Sequence, residues 1–279
     1  MLRRVDRMQL AVRDRAAAAD TFRDMLGAET VREDAVHLLG ARRTVVQAGE
    51  SEFELLEPAG DGPVAAYLQR WPEGLFAAGF STDDLDGLCA RLDQKGVRWQ
   101  EEGGQLHLEP EQTTGLRMVI SPSAQRSPLG LITWLYEVTH IVPAHRQAAA
   151  FYADAFGLDA SRFAPIKSER YGYEGTLTLF DPPARLDRIE LTQISDPSLA
   201  MGRFFARRGP SIYMCFVETN DVAAIARRLE ARGARFAAAP NPDEGSLFVH
   251  PSALHGVLMG VSRTHIAWTW SGHPELARP

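Results

Sequence analysis

The hydrophobic and polar positions of the chain follow one pattern twice. In two stretches that align without a gap, a capping threonine precedes apolar residues at positions i, i+3 and i+7, and a glycine ends the helix before an aromatic residue begins a strand. The matching residues are Thr82, Leu85, Leu88, Leu92, Gly96 and Trp99 in the first copy and Thr219, Val222, Ile225, Leu229, Gly233 and Phe236 in the second. The pattern predicts two equivalent helix–strand units.

Two further segments occur in both halves of the chain. Residues 106–118 and 247–259 share a leucine, a proline, a glycine and a methionine in the same register. A strand-like segment followed by a helix begins each half, over residues 5–27 and 138–157. Such internal repeats indicate duplicated structural units. The predicted division is a first domain over 1–124, a linker over 125–132, a second domain over 133–265 and a tail over 266–279.

Composition and charge narrow the class of protein. The 279 residues suffice for about two domains, and the 45% hydrophobic and 24% charged residues are typical of a globular protein. The net charge is −6, and no stretch gathers basic residues without acidic neighbours, which argues against nucleic acid as a partner. No run approaches the ~20 apolar residues of a membrane helix, and the charged start lacks the apolar centre of a signal peptide. We therefore expect a cytoplasmic protein without a membrane partner.

Two short sequence phrases carry a family resemblance. The phrase Phe-Glu-Leu-Leu-Glu-Pro lies at 53–58, and His-Pro is followed by His-Gly-Val-Leu-Met within 250–259. Together with the four repeated units, they resemble the vicinal oxygen chelate superfamily, which includes glyoxalase I, methylmalonyl-CoA epimerase, extradiol dioxygenases and bleomycin-resistance-type binding proteins. The resemblance implies an α+β fold of two tandem glyoxalase-like domains. In each domain, two βαβββ units would form a half-barrel cup.

The resemblance also implies where a metal site would lie. Family members hold a divalent metal on the floor of a cup, with one residue from each of four strands. The implied positions are Arg7, Glu54, Ala77 and Val119 in the first half and His140, Glu190, Tyr213 and Gly260 in the second. In the first cup, Arg7 and Arg117 would repel a cation and neutralise Glu54. We therefore expect a non-catalytic first half, with an anion pocket at the two arginines as the alternative.

The alternation of side chains along a strand predicts which residues face the second cup. Apolar residues flank Glu190 on both sides, so its carboxylate is predicted to face the cup. In the next strand, Tyr213 and Cys215 are predicted on the floor. Three apolar residues of that strand are predicted to face the helices, namely Ile212, Met214 and Phe216.

His140 and Glu190 give the second cup its predicted chemistry. A histidine and a carboxylate can bind Fe(II), Mn(II), Ni(II) or Zn(II), but the pair alone is an incomplete shell. Tyr213, His250 or His255 is the candidate third ligand. Without a metal, the pair is a general acid–base unit in which Glu190 orients His140 or takes a proton itself. One divalent metal ion, metal-free acid–base chemistry and a purely structural pair are the three alternatives.

The loop over residues 167–175 mixes cations, hydroxyls and aromatic rings without periodicity. Such a loop suits recognition of a small polar or aromatic molecule. Arg170 is the predicted clamp for a carboxylate or phosphate, and Tyr171 and Tyr173 are the predicted stacking wall. The alternative is an ordinary solvated loop.

Three positions near the last strand complete the predicted site. Gly260 either leaves space for a larger ligand or marks a bulge. His255 is predicted at the mouth of the cup as a proton donor, and His250 either contacts the substrate or has a structural role. In the tail, Trp268 and Trp270 either cover the edge of the cup or form an interface patch.

These residues predict a small-molecule enzyme that acts in the C-terminal cup on an oxygenated carbonyl or aromatic substrate. Its reaction would be a proton transfer of the lyase or isomerase type, with His140, Glu190, Tyr213 and His255 as catalytic residues. A non-catalytic binding or resistance protein is the alternative. A metal-dependent extradiol-type dioxygenase is disfavoured, because Tyr213 and Gly260 stand where its metal ligands belong. The partner is a small-molecule substrate or ligand, and the chain is expected as a monomer or homodimer.

Overall fold

Each half of the chain folds into one eight-stranded sheet. The computed structural model describes residues 1–238, 245–263 and 265–277. The first sheet contains β1 (Leu2–Ala11), β2 (Glu29–Val36), β3 (Ala41–Ala48), β4 (Ser51–Pro58), β5 (Gly74–Thr82), β6 (Gln100–Glu102), β7 (Gln105–Leu108) and β8 (Met118–Pro122). The second contains β9 (Trp134–Ile141), β10 (Ala164–Ser168), β11 (Tyr173–Leu179), β12 (Arg188–Ile194), β13 (Ser211–Thr219), β14 (Phe236–Ala238), β15 (Ser246–Val249) and β16 (Met259–Arg263).

The two sheets have the same topology. Their strand orders are β2-β3-β4-β1-β5-β8-β7-β6 and β10-β11-β12-β9-β13-β16-β15-β14. In each sheet the first strand of the half lies at the centre, parallel to the fourth and antiparallel to the fifth. The helices are α1 (Arg15–Leu26), α2 (Pro63–Arg70), α3 (Leu85–Gln94), α4 (His145–Phe156), α5 (Ala200–Arg208) and α6 (Val222–Ala231). This arrangement confirms the predicted α+β fold of two tandem domains, each with two βαβββ units.

Aspartates cap the repeated helices, where the sequence pattern predicted threonines. The side chains of Asp84 and Asp221 accept hydrogen bonds from backbone N–H groups in the first turns of α3 and α6. The hydroxyl groups of Thr82 and Thr219 instead accept from the backbone N–H groups of these aspartates. The aspartate caps the helix because it lies next to the first turn and its negative charge is stabilised by the positive end of the helix dipole.

None of the helices in the described residues is long and apolar enough to cross a membrane.

Helices α1, α3, α4 and α6 contribute buried residues to a single apolar core that runs through both halves. Helix α2 instead packs through Val64 into a separate apolar cluster that includes Leu56 of the first sheet. Helix α1 packs against α6, α3 packs against α4, and the central strands β1 and β9 lie next to each other. Across this boundary, the rings of Phe80 and Phe180 are 6.1 Å apart between centroids. Because the core is shared, the halves form one packed body and their relative position is set by apolar contacts.

The segment predicted as a linker packs against the first sheet. Its Arg126 donates hydrogen bonds to the carboxylates of Asp6 and Glu52. The backbone of Leu129 pairs with Gly49 in an isolated bridge. These contacts attach the segment between the halves to β1, to β4 and to the turn before β4.

The tail closes one end of the second cup. A short 3₁₀ helix over Ile266–Trp270 places Trp268 in an apolar cluster, where only 2% of its surface is exposed. The other members of the cluster are Tyr136, Ala164, Leu177, Leu179, Leu186 and Ala267. Ser271 follows the helix, and its hydroxyl group accepts a hydrogen bond of 2.7 Å from Arg188 on the cup floor. Of the two alternatives predicted for the tail, Trp268 covers the edge of the cup.

Replacement of Trp268 by alanine should destabilise the fold. The Trp268→Ala substitution removes a buried ring from the cup, so we expect the free energy of unfolding to fall by about 3–5 kcal/mol. Trp270, which is 38% exposed, provides a matched control. The Trp270→Ala substitution should change the same quantity by less than about 0.5 kcal/mol. Urea unfolding followed by circular dichroism measures both, and equal effects would contradict this role of the tail.

Candidate active site in the C-terminal cup

Strand register defines the floor of the second cup. In the parallel pair of β9 and β12, Glu137 lies opposite Arg188 and Thr139 opposite Glu190. Partners directly opposite each other point to the same face of a sheet. Leu177 lies opposite Glu190 and belongs to the cluster under the tail, so this face is the inside of the cup. Glu190 therefore faces the cup, as its strand alternation predicts.

The structure does not bring His140 and Glu190 together. His140 lies opposite Leu191 on one side and Ile212 on the other, and both of these residues belong to the core under the helices. Its ring is fully buried, and neither ring nitrogen has a hydrogen-bond partner among the described residues. Burial alone lowers its pKa to about 3, with no contribution from a carboxylate. His140 is thus a neutral core residue, and the predicted pairing with Glu190 is wrong.

The error lies in how the two halves were aligned. Leu10 lies opposite Leu55 and Leu75 in the first sheet, in the same way as His140 lies between its two neighbours in the second. The equivalent of Arg7 is therefore Glu137, three residues before the predicted position. The position implied by the family resemblance put His140 on the floor, whereas the strand register puts it among the apolar residues under the helices.

A register shift in β13 changes the second predicted strand. The shift falls between Ile212 and Met214, so the simple alternation breaks at Tyr213. After it, Cys215 packs in the core under the helices, and the ring of Phe216 lies in the cup, 5.9 Å from that of Tyr136. The predicted orientations of Cys215, Met214 and Phe216 are therefore reversed. Tyr213 itself lies edge-on to Phe204, 5.0 Å away, and lines a cleft between the two halves.

A buried ion pair occupies the centre of the floor. One carboxylate oxygen of Glu137 accepts a hydrogen bond of 2.7 Å from Nε of Arg188, and Nη2 of the same guanidinium lies 2.6 Å away in an ion pair. The other accepts from the hydroxyl group of Thr139 at 3.0 Å. Arg188 is fully buried and Glu137 is 1% exposed. These contacts hold the carboxyl group of Glu137 in a fixed orientation.

Glu190 is a buried carboxyl group of the cup with a raised pKa. Its carboxyl group makes hydrogen-bonding contacts with Glu137 and with the hydroxyl group of Tyr173. Burial and the neighbouring Glu137 raise the pKa of Glu190 well above its usual value. Burial and the charge of Glu190 also raise the pKa of Tyr173, so this half-buried phenol keeps its proton and donates to Glu190. Glu190 therefore binds a proton more tightly than an ordinary glutamate does.

The residues of the second cup do not fit the divalent metal that the resemblance implies. The register gives Glu137, Glu190, Met214 and Gly260 at the four floor positions, so only two of them carry metal donors. Both oxygens of Glu137 are already bound to Arg188 and Thr139. Within the described ranges, no three His, Cys, Asp or Glu side chains are grouped so that they could hold a metal ion. The two carboxyl groups are better suited to proton transfer than to metal binding.

The space next to Gly260 is filled by the protein. A Cβ atom at Gly260 would lie 2.1 Å from the ring of Phe216, which packs edge-on to Phe248 at 5.7 Å between centroids. Both rings are half-buried and lie toward the open side of the cup. The missing side chain at Gly260 thus makes room for an aromatic ring of this chain.

The first cup is saturated with internal ion pairs and hydrogen bonds. The carboxylate of Glu54 accepts hydrogen bonds from four side chains, which are Arg7, Gln9, Arg43 and Gln105. Despite complete burial, the two guanidinium groups lower the pKa of Glu54 far below its usual value. The second arginine at Glu54 is Arg43 and not the predicted Arg117, which pairs with Glu109. Glu54 is therefore permanently ionised.

The remaining predicted residues lie outside the cup floor. Arg170 is exposed and its guanidinium lies over the ring of Tyr171, 5.4 Å from the centroid. His250 begins a short 3₁₀ helix over Pro251–Ala253 and accepts a hydrogen bond from the backbone of Ser252. His255 lies in the cleft between the halves, where its Nδ1 is 2.9 Å from a carboxylate oxygen of Glu73. Of the predicted residues, Glu190 and Tyr173 lie together in the cup, whereas Tyr213 and His255 line the cleft between the halves.

Comparison with known proteins agrees with the fold. A family model described as the Glyoxalase/Bleomycin resistance protein/Dioxygenase superfamily matches residues 4–112 and 135–250. Ethylmalonyl-CoA/methylmalonyl-CoA epimerase of Cereibacter sphaeroides is 30% identical over 100 residues, which cover 35% of this chain and 75% of that protein. The two matched segments correspond to the two sheets.

Solved structures give the same picture. A mutant of 4-hydroxymandelate synthase from Streptomyces coelicolor superposes with a TM-score of 0.71 at 16% identity, over 94% of this chain and 93% of that chain. Methylmalonyl-CoA epimerase from Mycobacterium tuberculosis, at 26% identity, covers 48% of this chain and 89% of its own, with a TM-score of 0.41. The first of these similarities shows that the fold of both halves together occurs in a known protein.

A second carboxyl group with a raised pKa, that of Glu218, holds the tail against the second sheet. Glu218 is fully buried in β13, and one of its oxygens accepts a hydrogen bond from the backbone N–H of His265. Its other oxygen has no hydrogen-bond partner among the described residues. Burial raises the pKa of Glu218 to about 7; the hydrogen bond and the nearby Arg185 and Arg188 oppose the rise, and Asp187 adds to it. Glu218 therefore ionises near neutral pH inside the fold.

The ionisation of Glu218 should make stability depend on pH. The pKa of Glu218 is about 7 in the fold, above its ordinary value of 4.5. As the pH rises, this residue therefore ionises in the unfolded chain before it ionises in the fold, and the folded state loses stability between these two pH values. Glu218→Gln keeps an acceptor for His265 and cannot ionise. From about pH 5 to about pH 8, we expect the variant to gain on the order of 1–3 kcal/mol over the parent. Urea unfolding measures this, and a constant difference would contradict it.

Proposed function

Because this chain belongs to the Glyoxalase/Bleomycin resistance protein/Dioxygenase superfamily, also called the vicinal oxygen chelate superfamily, we propose that it is an enzyme that acts on a small oxygenated molecule. In this proposal the reaction takes place in the C-terminal cup and consists of a proton transfer next to a carbonyl group. Glu190 is the acid–base group, and Tyr173 is the hydrogen-bond donor to the substrate oxygen. The reaction is of the isomerase or lyase type.

The contact between Glu190 and Glu137 carries this proposal. A general base works best when its pKa is close to the working pH, and an ordinary glutamate is too acidic for this. Burial beside an anion supplies the required rise in the pKa of Glu190. The carboxyl group of Glu137 is already bound to Arg188 and Thr139, which leaves Glu190 as the group that exchanges a proton. The first cup lacks such a group, because Glu54 is held ionised by arginines.

The proposed reaction needs no group beyond these side chains. In its ionised form, Glu190 takes a proton from the carbon next to the substrate carbonyl; the electron pair of that C–H bond forms a C=C bond, and the π pair of the carbonyl group moves onto its oxygen. Once Glu190 carries this proton, the hydroxyl group of Tyr173 donates to the enolate oxygen and keeps its own proton. Return of the proton to the opposite face of the carbon, after the enolate has turned over in the cup, completes an isomerisation. If the neighbouring carbon carries a leaving group, the enolate electron pair instead forms a new C=C bond to that carbon, and the group departs with its own bonding pair, which is a lyase reaction.

The name of the Cereibacter sphaeroides relative supplies the first substrates to test. An epimerase inverts one carbon centre, and proton removal followed by return to the opposite face is one route to inversion. We therefore propose malonyl thioesters with an alkyl branch, together with simple 2-oxo acids, as probe substrates. Exchange of the α-proton with deuterium from solvent is measurable even where the net reaction is balanced.

The Glu190→Gln substitution should abolish proton exchange. In D₂O, we expect the parent to incorporate deuterium next to the carbonyl of a probe substrate, and the variant to lose about 100-fold or more of this rate. Tyr173→Phe should lose roughly tenfold, because the enolate loses one donor. The acidic limb of the rate should lie above pH 4.5, the ordinary pKa of glutamate. Proton NMR measures the exchange.

Glu174→Gln provides the matched control, because Glu174 is exposed and lies next to Tyr173 in β11. This variant should retain the full exchange rate, and circular dichroism should show that all three variants are folded. Equal exchange rates in the parent and Glu190→Gln would contradict the proposed role of Glu190. Tight binding of a probe without exchange by the parent would instead support a non-catalytic binding protein.

A further inference from the structure

A cleft of about 790 Å³ lies between the two halves, apart from either cup. The first half contributes Tyr67 and Arg13 to its wall, and the second contributes Arg207, Arg208 and His255. We propose that this cleft is a second binding site, for a small molecule that joins a carboxylate or a phosphate to a planar apolar group. The inference does not depend on the reaction proposed for the cup, because the two sites share none of the residues that carry them.

Arg208 is the anchor of the proposed site. Its guanidinium lies over the rings of Trp71, Phe204 and Tyr67, with its central carbon 4.6, 5.3 and 5.6 Å from the three centroids. One terminal nitrogen donates to the hydroxyl group of Tyr67 at 3.1 Å. Its Nε is buried and has no hydrogen-bond partner among the described residues. The rings hold the planar cation in one orientation, and at least one of its donors is unused.

The guanidinium groups that line the cleft outnumber its carboxylates. Across the described residues, Arg13, Arg207 and Arg208 make no ion pair with a carboxylate, although the chain as a whole carries a net charge of −6. The carboxylate of Glu73 also lines the cleft, but it is bound to His255 and to the backbone N–H of Arg13. Three guanidinium groups around one concave surface favour an anion. Their planar forks match the two oxygens of a carboxylate or phosphate.

The corresponding contact between the halves lacks the histidine–carboxylate pair of the cleft. Gly115 meets Pro210 at one contact, while Gly256 meets the backbone of Glu73 at the other. At the first, the neighbouring Thr114 contacts a tyrosine hydroxyl group. At the second, His255 bridges the carboxylate of Glu73 and the hydroxyl group of Thr21, at 2.9 and 3.1 Å. The fold thus forms this type of contact without a histidine and a carboxylate.

The aromatic rings of the cleft indicate that the ligand has a planar apolar part in addition to its anionic group. Phe204 and Tyr213 line the cleft next to Arg208 and lie edge-on to each other. An apolar ring or other flat group could pack against them while its acidic group reaches the guanidinium. An inorganic anion alone would use the charges but not the rings. The proposal thus expects affinity to need both parts of the ligand.

Binding of benzoate and phenyl phosphate tests the site. We expect at least one of them to bind at a single saturable site by isothermal titration calorimetry. Benzamide, which lacks the charge, and inorganic phosphate, which lacks the ring, should each bind about tenfold or more weakly. The relative affinities of benzoate and phenyl phosphate distinguish a carboxylate from a phosphate ligand. Added salt should weaken binding, because exposed charges are screened.

The Arg208→Gln substitution should reduce this affinity by about tenfold or more. Arg203→Gln is the matched control, since Arg203 lies on the same helix, is exposed and does not line the cleft. It should leave the affinity unchanged. If Arg208→Gln fails to fold, Arg207→Gln at the exposed rim should give a smaller loss.

Two outcomes would overturn the proposal. One is the absence of saturable binding of both anions to the parent, and the other is unchanged affinity in the folded Arg208→Gln or Arg207→Gln variants. The Glu190→Gln variant should bind as tightly as the parent, because Glu190 lies in the cup. Failure of the cleft and failure of the cup reaction are therefore distinguishable in the same set of variants.

Discussion

The orientation of one buried ion pair determines the chemistry of each cup. In the first half, Arg7 lies on the central strand with a carboxylate opposite; in the second half, Glu137 lies on the central strand with Arg188 opposite. Glu54 and Glu190 occupy the same position two residues further along the neighbouring strand. Glu54 thus lies beside a guanidinium, which lowers its pKa, whereas Glu190 lies beside a carboxylate, which raises its pKa. Within the same fold, exchange of the arginine and the glutamate between the two strands therefore distinguishes a carboxyl group with a lowered pKa from one with a raised pKa.

The same ion pair connects the acid to the cover of the cup. Arg188 binds Glu137 through one edge and Ser271 of the tail through another nitrogen, and its guanidinium lies 5.2 Å from the ring centre of Tyr136. The tail thereby brings Trp268 over the floor and excludes water from the charges. Electrostatic interactions are stronger where water is excluded, so the cover contributes to the raised pKa of Glu190. The tail is in this sense part of the proposed acid–base site.

The sequence predicted the architecture better than the site. Repeats, helix ends and family phrases were sufficient for two equivalent halves, because these features survive in the sequence as spacing. The site depends on strand register, where an error of one residue turns a side chain to the other face. The family resemblance implies a floor position for His140 that is three residues out of register, and the irregularity at Tyr213 cannot be predicted from alternation. Glu137 was the missed residue, although the polar pair it forms with Thr139, on either side of Val138, was a usable signal.

The duplicated fold also explains why a second site can arise between the halves. The turns at Thr114 and His255 both have a positive φ, 58° and 45°, so their unusual backbone is retained in both halves. Since the fold fixes only the backbone there, the side chains can differ, and only His255 faces a carboxylate. The ring of Tyr67 and the guanidinium of Arg208 come from different halves, so neither half alone presents the anion-binding surface. A ligand held in the cleft would therefore contact both halves, and its binding would stabilise their packing by mass action.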